Sequence, residues 1–359
     1  MSKKGEKMNE KLSFELTEDG CLSQEDTKKY YSRFGFACFG FGAASLVASL
    51  IFSIGAKKFF PTLLEDPFWY AIISNAISFT SIYLIALPLL LILLKPLPTV
   101  RPIKGKMKFS HIIACICIAF ALTYVGTYIS DIILTIVQNI SGYMPQNPIN
   151  EHLNSADMIL SIAFTGLLAP VLEELVFRKI LCNKLLSLGE APAIIISAAF
   201  FGAIHGNLYQ FAYAFLTGLL FGFIYVKTGK LIYSIITHIG INLYFGILAS
   251  YINSIFPYDK INELLLNEEL LYDMDKLWAE LSPYAFELSL FMIYSYLTLG
   301  LVIAGVVIGV KAITKRKISC EKGILPPENK HRVSNFLLTG GVAAAIAIIA
   351  IQFVLLILP

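Results

Sequence analysis

The sequence predicts an all-α fold, a polytopic membrane helix bundle of about eight or nine transmembrane helices. Three observations carry that prediction. Of 359 residues, 57% are hydrophobic and 15% charged, against roughly 45–50% and 25% in soluble domains. Mean hydropathy is +0.71. Nine stretches approach or exceed the roughly 20 apolar residues a helix needs to cross the hydrocarbon core. Such a composition excludes a water-soluble enzyme, a disordered chain, a collagen-like chain and a disulfide scaffold. The net charge of +3 gives no ground for a nucleic-acid partner.

Residues 1–34 hold seven Lys/Arg and seven Asp/Glu. They read as a cytosolic polar tail, too long and too polar for the n-region of a signal peptide. Residues 35–150 supply the N-terminal spans at 35–55, 68–94 and 109–137. Residues 151–251 hold the fourth to seventh stretches, at 156–178, 193–205 with its flanks, 208–226 and 231–251. Only Gly206 and Asn207 part the fifth from the sixth, so the fifth either crosses or re-enters.

Residues 252–284 form an outer loop with seven acids and two lysines. Within it Leu270, Leu271, Met274, Leu277, Trp278 and Leu281 recur at helical spacing, which predicts an amphipathic interfacial helix. A sharper reading of the same loop is an acidic vestibule for cationic peptides. Residues 285–359 add the last spans, at 285–310 and 336–358.

Lysine and arginine collect on the cytoplasmic side of membrane proteins. With nine spans and the N-terminus inside, 23 of the 28 fall in inner segments and four in outer ones. That split places the N-terminus in the cytoplasm and the C-terminus outside. None of the six cysteines falls in an outer loop, and they read as core thiols. The pairs Gly202/Gly206, Gly218/Gly222 and Gly305/Gly309 are small-residue motifs for close helix packing.

A charge near the bilayer centre costs about 2.5–3.5 kcal/mol on insertion scales, and most spans avoid it. Asp131, Asp157 and Glu287 sit at outer span ends, within reach of water. The fourth, fifth and seventh stretches break the rule. The fourth reads Glu173-Glu174-Leu175-Val176-Phe177-Arg178, with no helix breaker from Lys179 to Gly189. Glu174 and Arg178 are i and i+4, so they share a face and pair. Glu173 lies about 100° away with Phe177 on its face, and is the carboxylate left without a partner on its own helix. Desolvation beside an apolar face suits it to general-base work.

The fifth stretch places Phe201 and His205 on one face, and the seventh does the same with His238 and Asn242. These groups can add water to an amide. Glu173 takes the proton, His205 orients the water, and His238 with Asn242 donates to the developing oxyanion. No serine or cysteine nucleophile stands in a recognisable context. Glu173, His205 and His238 could instead hold one divalent ion such as zinc as an open three-ligand site. No His-Glu-x-x-His pattern supports that, so the metal-free reading with no cofactor is preferred.

The ordered set Glu-Glu-x-x-x-Arg (Glu173, Glu174, Arg178), Phe-x-x-x-His (Phe201, His205) and His-x-x-x-Asn (His238, Asn242) resembles the signature of the CPBP intramembrane endopeptidases. These are the CAAX-protease and bacteriocin-processing, or Abi, enzymes, which include the Ras-converting CAAX protease. The resemblance covers roughly residues 160–250. It implies that Glu173 is the catalytic base, Glu174 and Arg178 stabilise the site, His205 assists water activation, and His238 and Asn242 form the oxyanion side. The family has been described both as metalloproteases and as glutamate-dependent proteases.

It further implies a peptide or membrane-anchored protein substrate, in a multi-pass protein of a bacterial cell membrane. Processing would be of the CAAX type or of the bacteriocin or pheromone type. Two other classes fit parts of the pattern: a non-catalytic bacteriocin-immunity scaffold, and a proton-coupled transporter using the same charges as a relay. At 1.5 Å per residue, Glu173 and His205 lie roughly 20 Å from the inner ends of their spans, and His238 about 10 Å. Tilted spans or a re-entrant fifth segment must bring them together.

Overall fold

The computed structural model describes residues 14, 16–145, 158–267, 272–315, 318–327 and 332–357. Among them the chain forms twelve α- or π-helical segments, two short 3-10 turns (Leu63–Glu65 and Ser282–Tyr284) and no β-strand. The helical segments are α1 (Gln24–Phe59), α2 (Pro67–Leu94), α3 (Phe109–Ser141), α4 (Met158–Leu185), α5 (Glu190–Ile204) and α6 (Leu208–Thr228), followed by α7 (Leu231–Ile255), α8 (Tyr258–Leu266), α9 (Met274–Leu281), α10 (Ala285–Thr314), α11 (Arg332–Leu337) and α12 (Gly340–Ile357).

Seven described segments are long and apolar enough to cross a membrane: α1, α2, α3, α4, α6, α7 and the run Met274–Thr314 that contains α10. The apolar helices α5 and α12 are shorter. The protein is thus a multi-pass all-α membrane bundle. Asp157, His152, His331 and the loop positions Glu268, Glu269, Leu270 and Leu271 lie outside the described residues.

Local chemistry sets the helix ends. Ser23 caps α1 by accepting from the Asp26 N–H at 3.1 Å, and Asp66 caps α2, where Pro67 takes the first helical position. Asn207 caps α6, accepting from the Gln210 N–H at 2.9 Å. Gly142 and Gly229, at φ +72° and +61°, close α3 and α6 in the left-handed conformation that glycine adopts without a Cβ penalty.

Four stretches are π-helical: Thr80–Ala86 in α2, Ile162–Leu168 and Leu175–Cys182 in α4, and Asn242–Leu248 in α7. The first two run up to Pro88 and Pro170. A proline has no N–H and collides with the carbonyl four residues back, so the turn before it widens. The helix of α4 does continue past Arg178, to Leu185.

α5 and α6 form a hairpin that turns at Gly206, φ +66°. With 15 residues, α5 is about 22 Å long, short of the roughly 30 Å hydrocarbon core. Lys227 of α6 pairs with Glu190 of α5 at the open end. The first glycine of each expected pair sits at a helix crossing. A Cβ on Gly202 would stand 2.8 Å from the Phe211 carbonyl, and one on Gly218 2.9 Å from the Phe201 ring, while one on Gly305 would overlap the Cys117 carbonyl. Gly222 packs at 3.4 Å on Ile194, whereas Gly309 faces open space.

The basic end of the bundle is tied by two irregular segments. In residues 95–108 the Val100 N–H bonds the Asn183 carbonyl and the Gly105 N–H that of Thr228, while Lys184 Nζ donates to the Leu97 carbonyl at 2.7 Å. In residues 318–327 the Glu321 N–H reaches Glu190 at 2.8 Å, and the Leu325 N–H bonds the Ser187 carbonyl. At the acidic end, Lys260 of α8 pairs with Glu280 of α9 at 2.8 Å. On the apolar face of α9, Met274 and Trp278 remain 69% and 65% exposed, while Leu277 and Leu281 are half-buried.

Candidate active site

The site begins with the ion pair the helical spacing called for. Arg178 Nε donates to Glu174 Oε2 at 3.1 Å, with both side chains fully buried. Its Nη1 donates to Ser197 Oγ of α5 at 3.2 Å. The guanidinium also lies over the rings of Phe201 at 5.1 Å and Phe221 at 6.0 Å. A buried cation thus meets one carboxylate, one hydroxyl and two π faces, which replace part of the water it has lost, while Nη2 is buried without a hydrogen-bond partner.

His238 of α7 stands between the two glutamates. Its Nε2 is 3.6 Å from Glu173 Oε2, and its Nδ1 is 3.3 Å from Glu174 Oε1. The second approach is not aligned as a hydrogen bond. Phe221 stacks on the imidazole at 4.8 Å and Phe201 meets it edge-on at 5.5 Å. The ring is 4% exposed as a residue, yet the Glu173 side chain is 21% exposed. Glu173 is therefore the open carboxylate of the cluster, and Glu174 the sealed one.

His205 follows the last turn of α5. Its Nδ1 is 2.8 Å from the Phe201 carbonyl. A carbonyl only accepts, so Nδ1 carries the hydrogen and Nε2 is the nitrogen left for a water molecule. Phe201 touches His205 edge-on at 5.2 Å and His238 at 5.5 Å, so one ring spaces the two histidines. Asn242, one turn beyond His238, donates from Nδ2 to the Thr165 carbonyl of α4 at 3.0 Å.

Of the six residues the sequence singles out, four are joined in series, Arg178 to Glu174, Glu174 to His238 and His238 to Glu173. Among the described residues neither His205 nor Asn242 makes a hydrogen bond or ion pair to those four. His205 joins them through Phe201, and Asn242 through the α4–α7 packing. The expected mismatch in depth is met by a difference in helix ends. Contact between Glu173 and His238 requires α7 to begin roughly 8 Å short of the end of α4.

Several contributors were missed in the sequence. Ser197, Phe201 and His205 recur every fourth residue on α5, and Ser234, His238 and Asn242 do so on α7. Extending each stripe one turn toward its N-terminus finds the two serines. Ser197 serves Arg178, and the fully buried Ser234 donates to the Leu231 carbonyl at 3.0 Å one turn before His238. A polar chain also leaves His205: Asn207 Nδ2 donates to the His205 carbonyl at 2.9 Å and to Gln210 Oε1 at 2.7 Å, and Gln210 Nε2 donates to the Tyr213 hydroxyl at 3.0 Å. Tyr213 and Tyr83 stand within electrostatic reach of Glu173. Nothing distinguished Tyr83 among the 18 tyrosines of the sequence.

Glu173, His205 and His238, the alternative metal ligands, do not converge as a set. His238 is taken up by the two glutamates, and His205 is bonded through Nδ1 to its own helix. Among the described residues no three His, Cys, Asp or Glu side chains gather in a metal-binding arrangement.

Residues 155–244 match the family model for the Rce1-like proteins, described as type II CAAX prenyl endopeptidase Rce1-like. Over those residues, about a quarter of the chain, the protein is similar to the Rce1-like family. The matched stretch contains all six residues above. The Rce1-like family is a family of proteases, so the match supports an intramembrane protease acting on a peptide or protein. No curated relative and no solved structure matches the chain.

Proposed function

We propose that the protein is an intramembrane endopeptidase that cleaves a membrane-associated protein or peptide with glutamate-activated water, without a metal. The observation that carries this reading is the unequal state of the two adjacent glutamates. Glu174 is spent on Arg178, and Glu173 is open enough to meet water while facing His238. A carboxylate committed to a buried guanidinium is a poor base, and a partly solvated neighbour is a good one.

In this reading Glu173 accepts a proton from water as the oxygen attacks the scissile carbonyl carbon, and later returns it to the leaving amine. His205 accepts a hydrogen bond from that water through Nε2. The imidazole of His238, with the hydrogen of Asn242 not spent on Thr165, faces the oxyanion. We assign the substrate to CAAX-type or bacteriocin- and pheromone-type processing. We place the chain in a bacterial cell membrane, with its N-terminus cytoplasmic and its C-terminus outside.

The test compares peptide termini, by mass spectrometry, from cells carrying the wild-type chain and cells carrying Glu173→Gln at matched expression. Termini that vanish in the variant establish the protease and name its substrate. Identical termini, repeated with His205→Ala, leave a peptide-binding immunity scaffold or a proton-coupled transporter, and proton flux in vesicles separates those two.

A further inference from the structure

Asn242 has a role that the oxyanion assignment does not use. In the Ile162–Leu168 segment of α4 the N–H of Ala169 bonds the carbonyl of Phe164, one residue further back than in an α-helix. The next carbonyl, that of Thr165, would then be served by the N–H of residue 170. That residue is Pro170, which has none. The helix leaves the Thr165 carbonyl without a main-chain donor, in a region where no bulk water can replace it. Asn242 Nδ2 closes the gap at 3.0 Å.

The neighbouring geometry serves the same contact. A Cβ on Gly166 would stand 2.6 Å from Leu243 Cδ2, so glycine lets α7 approach α4 beside Thr165. Further along the same two helices His238 reaches Glu173 and Glu174. The bond from Asn242 therefore sits where it sets how α7 is registered on α4, one turn from the histidine that depends on that register.

We propose that Asn242 is a positioning residue, whose bond to the carbonyl orphaned by Pro170 fixes α7 on α4 and so holds His238 against Glu173. What is positioned rests on the catalytic reading above; the clamp itself does not. Pro170→Ala supplies the missing N–H, in either helical register, and makes Asn242 dispensable for this purpose. An oxyanion donor would not become dispensable.

The experiment is a double-mutant cycle on the full chain in detergent, with Asn242→Ala, Pro170→Ala and the combined variant. Asn242→Ala is expected to lower the thermal midpoint by roughly 3–6 °C, and to cost less than half as much in the Pro170→Ala background. The imidazole resonance of His238 should shift in Asn242→Ala and return in the double variant. Cleavage of the substrate found above should stay low in both variants, because the other hydrogen of Asn242 serves the oxyanion, so the midpoint and the His238 resonance are what read the clamp.

An Asn242→Ala change that costs as much in the Pro170→Ala background as in the wild type, or an Asn242→Ala chain with unchanged midpoint and unchanged His238 resonance, overturns the clamp. If the wild-type chain cleaves nothing, the protease reading falls. The thermal cycle and the His238 resonance then decide the clamp without it. Asn242→Ser, whose hydroxyl is too short to span the gap, replaces the alanine variant if that fails to purify.

Discussion

The Nδ1 atom of His238 lies 3.3 Å from Oε1 of Glu174, a carboxylate whose other oxygen Arg178 already holds at 3.1 Å. His238 thus packs against the buried ion pair and not against solvent. Disturbing that pair should move the histidine as well as weaken the bundle.

Arg178→Met removes the cation and strands Glu174 in a fully buried position. Breaking one half of such a pair costs about 3–5 kcal/mol. Replacing both partners, as Glu174→Leu with Arg178→Met, should cost clearly less than the single change. Unfolding in detergent measures both. Equal losses would mean that the pair is not the source of the stability.

His205→Gln should leave the fold nearly intact. The side chain is only partly buried, and its hydrogen bond is to its own helix. Turnover should nonetheless fall by roughly 10²–10⁴, the usual contribution of a positioned acid–base group. A thermal midpoint near the wild-type value, alongside lost cleavage, is the expected pair of results.

Gly305→Ala and Gly309→Ala form a matched comparison on α10. A Cβ at Gly305 runs into the Cys117 carbonyl of α3, which as backbone cannot step aside, whereas Gly309 meets nothing. The first variant should lose roughly 1–3 kcal/mol. The second should be neutral or slightly stabilised, since alanine favours the helix. Thermal unfolding of the two side by side gives the answer.

Asp273 caps α9, and its carboxyl is held below its ordinary value of 3.8, first by the Lys276 side chain and then by the Lys276 N–H. A folded-state value below the unfolded one stabilises the cap above the unfolded value, and the effect is lost as pH falls through the folded one. Amide protection at Leu277 and Trp278 should therefore drop on acidification below about pH 4. Asp273→Asn, which caps without titrating, should flatten that dependence.

The apolar helices, seven of them long enough to cross a membrane and two shorter, the Glu174–Arg178 pair and the shared faces of Phe201 with His205 and of His238 with Asn242 were legible in the sequence. Each depends only on hydrophobic content or on the 3.6-residue period, which are properties of one stretch of chain. The same period, read one turn further, would have found Ser197 and Ser234. A proline signals a local break, but not that the break would be mended from another helix.

Cross-helix relationships were not legible. Which glutamate stays open to water, that Phe201 spaces two histidines, and that Asn242 spends an N–H on Thr165 all depend on how α4, α5 and α7 cross. The sequence by itself determined a membrane bundle and the residues that violate its apolar rule. Only the tertiary structure decided which of them meet, because contacts between helices are set by packing of side chains and glycine crossings, and no single helix carries that information.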